Sequence, residues 1–300
     1  MGYFYLLLAL TGGLVKGFSG KRLSRGVANM RDSLFVNLIR MILCAVAGAV
    51  LLLLDSGLEG FIIGGKELLI FTASAIAMGT FCVCWMLAYR SEAYMFLSIF
   101  TMLGSIVTCF NGLVFYNEAI SVGQACGIAL LLIAVFVMSK YNSEVKGRKR
   151  FTGEELAILI IGCLGASLSD FLQKVYVKEI GKSSACFNFY TYLIGAVAVL
   201  TLFIVFSVRK STAPVSRQLI SKDNIFGYLG ISLFLYMNSI FKTMAVAEGL
   251  TAAEIFPVLN GANLICSAIL ANLLFKERIS KKSVLGMSLA FVGVVLINLL

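Results

Sequence analysis

Four ionisable side chains, Lys16, Arg40, Asp170 and Lys242, stand inside apolar stretches long enough to cross a bilayer. An ionised group is costly at that depth, so such residues normally face a bundle interior or a water-filled path, where they bind a solute, carry a proton or pair with one another. Three cations against one acid favour a solute bearing a carboxylate or another anionic group. Their neighbours at helical spacing refine this picture. Lys16 has Gly12, Gly13, Ser19 and Gly20 three or four positions away, a small-residue face with room for a neighbouring helix or a solute. Asn37 lies one turn before Arg40. Asp170 precedes Lys174 by four residues, the favourable order for a helical ion pair, and the spacing predicts that the two neutralise each other. The alternative role for Asp170 is the protonation site of a proton-coupled carrier. Tyr236, Asn238, Ser239 and Lys242 form a further polar face. Lys16 lies five residues from Lys21, and Lys242 five from the end of its helix, so both amines also have an interface within snorkelling reach. Asn188, Trp85 and Asn260 complete the candidate set, with Asn111, Tyr190, Tyr192 and Asn263 as weaker members. An aromatic residue at mid-helix is more often packing.

The elements that must position these groups are helices in a membrane. The 300 residues are 60% hydrophobic and 13% charged, with no histidine and two prolines, and the mean hydropathy of +0.96 excludes a soluble domain. A spanning helix needs about 20 mostly apolar residues. Uncharged runs of that order lie between Glu67 and Arg90, Glu92 and Glu118, Glu118 and Lys140, Lys182 and Arg209, Glu254 and Lys276, and after Lys282. Four more apolar stretches each hold one of the interior ionisable residues: the first helix, Ser33 to Leu54, Leu156 to about Val177, and Ile225 to Ala247. The expected fold is therefore an all-α polytopic membrane protein with ten transmembrane helices; continuous apolar runs do not suit the alternating strands of a barrel. All eight cysteines fall within predicted helices, where they serve as small packing residues rather than a disulfide framework. Cys82 and Cys84 point to different helix faces and no histidine completes a zinc site, so neither a metal nor a cofactor is expected. The apolar N-terminus lacks a preceding basic region and reads as a retained first helix.

The chain also repeats itself. A shift of 159 positions sets residues 114–138 on 273–297 without a gap, placing Glu118 on Glu277, Ile120 on Ile279, Ser121 on Ser280 and Gly127 on Gly286. A shift of 153 pairs Gly12 with Gly165, Phe18 with Phe171 and Lys21 with Lys174, and a shift of 151 pairs Asn37 with Asn188. The organisation read from this is a first five-helix repeat at 1–140, a charged linker at 141–153 and a second five-helix repeat at 154–300. Five is odd, so the second repeat enters the membrane in the opposite sense, and the two are inverted repeats.

Ten helices in two halves, an arginine early in the second helix ("LIRMILC"), glutamates ending the fourth and ninth ("FYNEAIS", "FKERISKKSVLGMSLAFVGVVLIN") and Pro257 in the ninth resemble the drug/metabolite transporter superfamily, EamA-type branch. The resemblance covers almost the whole chain; the first half departs from it with Ser98 where the second has Pro257. It implies a monomer or weak dimer with a central cavity between helices 1–4 and 6–9 and with helices 5 and 10 peripheral. It also implies a substrate among amino acids, other metabolites, nucleotide sugars and drugs. Arg40 sits at a position typical of the family, where holding helix 2 against its neighbours stands beside solute contact. Gly123 and Gly127 form a G-x-x-x-G that serves either a dimer or internal packing.

Depth and charge complete the expectation. Lys16 and Arg40 lie toward one membrane face, and Asp170 and Lys242 toward the other, as two polar layers flanking the midplane. Basic residues crowd the loops after helices 1, 3, 5, 7 and 9, while the opposite loops hold little beyond Lys66, Lys174, Lys178 and Lys182. By charge both termini lie outside the cytoplasm, whereas the resemblance implies both inside. The net charge of +10 is then topology and anionic-lipid contact, with no nucleic-acid partner. The function expected is a secondary active transporter in the cell (inner or plasma) membrane, moving an amino acid or other carboxylate-bearing metabolite by alternating access, and coupled to protons where Asp170 titrates. An exporter of amphipathic cations, an integral membrane enzyme and a channel are the alternatives. The missing histidine and short loops argue against the enzyme.

Overall fold

The computed structural model describes residues 1–90, 94–145, 153–208, 214–275 and 281–299. These residues hold ten long helices: α1 (Gly2–Ser24), α2 (Met30–Ser56), α3 (Gly65–Arg90), α4 (Tyr94–Tyr116), α5 (Val122–Val145), α6 (Gly153–Glu179), α7 (Ser184–Val208), α8 (Ile225–Ala247), α9 (Ala252–Phe275) and α10 (Lys281–Leu299). A one-turn helix at Arg217–Ile220 and two short 3-10 turns lie between them, with no strand among the described residues. The protein is an all-α polytopic membrane protein: α2, α3, α6, α7 and α8 each meet the length and hydropathy needed to cross a bilayer. Shorter apolar stretches lie in α4 (Ile106–Tyr116), α5 (Val122–Ala134) and α10 (Val284–Ile297). The expected linker at 141–153 is narrower than the charge pattern suggests. Residues 141–145 continue α5 and Gly153 opens α6, while 146–152, with Lys146, Arg148, Lys149 and Arg150, lie outside the described residues. So do Arg209, Lys210, Lys276, Glu277 and Arg278.

Local sequence sets several helix starts. Asn29 accepts from the Asp32 amide at 2.9 Å, while the Asp32 carboxylate takes the amides of Ala28 and Ser216, both at 2.9 Å, so one buried acid caps α2 and ties down the segment before α8. Ser121 and Gln124 bond each other's amides at the start of α5, as Thr251 and Glu254 do at α9.

Packing follows a paired scheme in which α1 lies against α8, α2 against α7, α3 against α6, α4 against α9 and α5 against α10. Secondary contacts of α2 with α8 and α3 with α7, and of α1 with α9 and α4 with α6, join these pairs into a bundle. The α5–α10 pair sits to one side with its own small apolar core of Leu131, Ala134, Ala290 and Ile297. Polarity is turned inside out relative to a soluble protein: Leu54, Leu69, Ile76, Phe110, Phe136 and Val197 are exposed, while Asn37, Arg40, Gln173 and Asn188 are buried. That arrangement suits an acyl-chain surround.

Small residues set the closest approaches. A Cβ on Gly12 would meet the Phe234 carbonyl at 2.8 Å, and one on Gly13 the Asn263 side chain at 2.9 Å, so the small face beside Lys16 is occupied by α8 and α9. The G-x-x-x-G of α5 likewise serves internal packing. A Cβ on Gly127 would stand 2.6 Å from the Gly293 carbonyl, and one on Gly293 would stand 2.8 Å from the Gly127 carbonyl. Backbone cannot swing aside as a side chain can, so Gly127→Val is expected to destabilise the α5–α10 crossing by about 1–3 kcal/mol. The check is the melting temperature of the purified Gly127→Val protein against Gly127→Ala, the smaller intrusion, which should fall less.

Candidate functional site

One ion pair joins two of the interior ionisable residues across α6 and α8. The Lys242 ammonium pairs with Asp170 at 2.5 Å and lies 5.8 Å from the Phe256 ring centroid. Lys16 lies within electrostatic range of Lys242, Cys82, Arg40 and Asp170, and forms no ion pair among the described residues. The register of α1 on α8 explains how. Gly12 faces Asn238, so Lys16 sets out four residues to one side of that contact and Lys242 four residues to the other, about 6 Å each way along the axis. Lysine side chains span such a gap. Lys16 and Lys242 thus leave the α1–α8 contact in opposite directions along the bundle axis.

The expected Asp170–Lys174 pair does not form. Asp170 turns to Lys242 on α8, and Lys174, with 0% of its surface exposed, pairs with Glu118 at the end of α4. A pair four residues apart on one helix is worth only a few tenths of a kcal/mol, so better-buried partners on neighbouring helices outcompete it.

Arg40 is 2% exposed on α2, within electrostatic range of Cys82 on α3. Its Nε and Nη2 are buried without a hydrogen-bond partner. Two hydroxyls in the same interior, Tyr192 and Tyr236, are also buried and unpartnered; their rings lie 6.1 Å apart. Tyr192 lies within electrostatic range of Arg40, Cys44 and Cys82. Asn37, one turn from Arg40, donates to the Ser33 carbonyl at 2.8 Å, and Ser33 donates to the Val83 carbonyl of α3 at 3.1 Å. The Asn37 Oδ1 is left unpartnered.

Other expected site residues hold the framework. Asn238 donates to the Ala9 carbonyl at 2.7 Å and so fastens α8 to α1. Asn188 takes the Ser239 hydroxyl at 2.5 Å and donates to Thr243 at 3.1 Å, and Gln173 donates to Thr243 and, at 3.0 Å, to the Ser239 carbonyl. This network joins α6, α7 and α8 beneath the Asp170–Lys242 pair. Gln173 and Thr243 were not among the expected site residues, although Gln173 stands three positions after Asp170 and Thr243 four after Ser239, on the same helix faces. Trp85 packs on Phe81 with ring centroids 4.9 Å apart, and Tyr190 stacks on Phe71 while donating to the Phe61 carbonyl at 2.7 Å. Asn260 is partly buried on α9.

The membrane face that carries the N-terminus is tied shut by groups from both halves. The Met1 ammonium meets Glu248 at 3.9 Å, Lys66 meets Glu179 at 3.1 Å and Lys182 meets Glu67 at 2.7 Å. Hydrogen bonding to Glu67 holds the Lys182 ammonium above the ordinary lysine range. Ser183 donates to Asp55. Glu118 takes Lys174 of α6 and the Ala252 amide at the N-terminus of α9, at 3.2 Å, so one carboxylate fastens three helices. A Cβ at Gly112 would press on that carboxylate at 2.8 Å, and Asn117 turns the chain toward it with φ of 49°.

The interior thus holds a buried guanidinium with two unused donors, and ion pairs cross the N-terminal face. Residues 154–299 match the model of the EamA-like transporter family, no curated protein matches, and 28 chains of solved structure do. One of these, described only as "Crystal structure of protein", has a TM-score of 0.75 at 10% identity, covering 99% of this chain and 97% of that one, which is a likeness of fold. The second half of the chain, residues 154–299, matches the EamA-like transporter family of the drug/metabolite transporter superfamily, and the chain is a multi-pass membrane protein.

Proposed function

We propose that the protein is a secondary active carrier of the plasma membrane, not an enzyme. It moves a small carboxylate-bearing metabolite by alternating access between two inverted five-helix halves, 1–140 and 154–300. The observation that carries this reading is the Arg40 guanidinium, buried in the middle of the bundle with two donors unused. Such donors are worth more to an anionic ligand in a low-dielectric interior than in water, and they confer affinity only on a ligand that reaches them. Inverted symmetry is supported by the packing scheme. Exchanging α1–α5 for α6–α10 in order maps α1–α8 onto α6–α3 and leaves the α2–α7, α4–α9 and α5–α10 pairs unchanged. Orientation follows the basic loops, which put the N-terminal face outside.

In this mechanism Arg40 and Lys16 receive the solute from one side. Asp170 exchanges its partner: when it takes a proton, Lys242 is released, and the α6–α8 contact loosens. Glu118 then lets go of Ala252 and Lys174, so that α9 parts from α4 and α6 and the site opens to the outer face. Monomeric function suits the design, because the polar path is enclosed by one chain.

Each part has its own test in proteoliposomes. Arg40→Gln should lower the apparent affinity for a transported carboxylate by about 10–100-fold, as loss of hydrogen bonds to a charged group predicts. Uptake unchanged by that substitution, or uptake of lipophilic cations only, would exclude the carboxylate reading. Asp170→Asn should abolish accumulation driven by a pH gradient while solute exchange at equal pH on both sides continues; loss of both would assign Asp170 to structure. Glu118→Gln should open the outer face more often. The readout is several-fold faster reaction of Cys109, whose sulfur lies 3.6 Å from the Ala252 carbonyl, with an impermeant maleimide, in a variant where Cys109 is the sole cysteine.

A further inference from the structure

The balance of charge in the interior narrows the solute. Lys242 is matched by Asp170, Lys174 by Glu118, Lys182 by Glu67 and Lys66 by Glu179. Lys16 and Arg40 have no such carboxylate among the described residues, and they lie within electrostatic range of each other. Like charges in a poorly solvated interior repel, so an occupant that neutralises both gains more than one that neutralises either alone. A monoanion leaves one cation uncompensated. A zwitterion compensates one cation but brings another, so two positive charges stay uncompensated.

The free atoms of Arg40 have the matching shape. Its Nε and Nη2 form the side-on edge of the guanidinium, the edge that grips two oxygens of a carboxylate or phosphate at once. The Lys16 amine is a compact point charge on a flexible stem, suited to a second anionic group whose position varies. We infer that the transported solute carries two negative charges, a dicarboxylate or a phosphate monoester, with one anionic group on the side-on edge of Arg40 and the second charge met by Lys16. This inference rests on the carrier reading above.

Five-carbon solutes that differ only in end groups provide the test: glutarate with two carboxylates, valerate with one and 5-aminovalerate as the zwitterion, with glycerol 3-phosphate as the phosphate probe. Each is titrated against the full-length purified protein, with the rise in melting temperature as readout, since a ligand specific to the folded state stabilises it by mass action. Glutarate or glycerol 3-phosphate should act at roughly tenfold lower concentration than valerate, a preference of about 1.4 kcal/mol. Whichever of the two acts identifies the anionic group. Lys16→Gln should erase that preference and leave the response to valerate unchanged, while Lys16→Arg should keep it; both variants are first shown to be monodisperse. Valerate or 5-aminovalerate acting as well as glutarate overturns the inference and leaves the carrier reading standing. No response to any of the four, with Arg40→Gln also leaving transport unchanged, overturns both.

Discussion

A positive charge held in an apolar belt must find an anion, a ring of donors and acceptors, or water, and the interior of this protein is arranged around that requirement. Lys242 finds Asp170 and an aromatic face. Lys174, wholly buried, finds Glu118. Each solution joins different helices, because partners on a single helix leave both charges facing the same poorly solvated groove. The helix pairing of the bundle and the pairing of its charges are therefore one problem. α6 meets α8 where Asp170 meets Lys242, and α4 meets α6 and α9 where Glu118 meets Lys174 and the Ala252 amide.

The same requirement separates structural polarity from functional polarity. Asn188, Ser239, Thr243 and Gln173 satisfy one another, and Asn238 is spent on the Ala9 carbonyl. Fully bonded groups of this kind make a rigid frame and have little left for a solute. Arg40, Tyr192 and Tyr236 keep buried polar atoms unpartnered, which is costly for a framework and useful for a site. Beside them, the sulfur atoms of Cys44 and Cys82 line the interior without competing strongly as acceptors.

Closure at the N-terminal face depends on exchangeable contacts. Carboxylates at helix ends, amines on flexible stems and one backbone amide fasten this face. Ion pairs near water cost little to break. The core around Phe71, Tyr176 and Phe187 is packed by aromatic contacts.

The membrane class and the helical fold were legible in the sequence, because hydropathy and charge spacing act locally: runs bounded by Glu67 and Arg90, or by Lys182 and Arg209, state how long a helix can remain in lipid. The interior ionisable residues were legible too, since their cost in an apolar run needs no neighbour to be evaluated. The partners were not. Asp170 and Lys174 share one helix face, and only the approach of α8 and α4 decided that each would look elsewhere. Whether Gly127 served another chain or its own α10 was likewise open until a backbone carbonyl stood against it. Sequence by itself determined which groups must avoid lipid; tertiary structure decided which group each one meets, because a pairwise interaction depends on the distance between helices that the chain brings together only by folding.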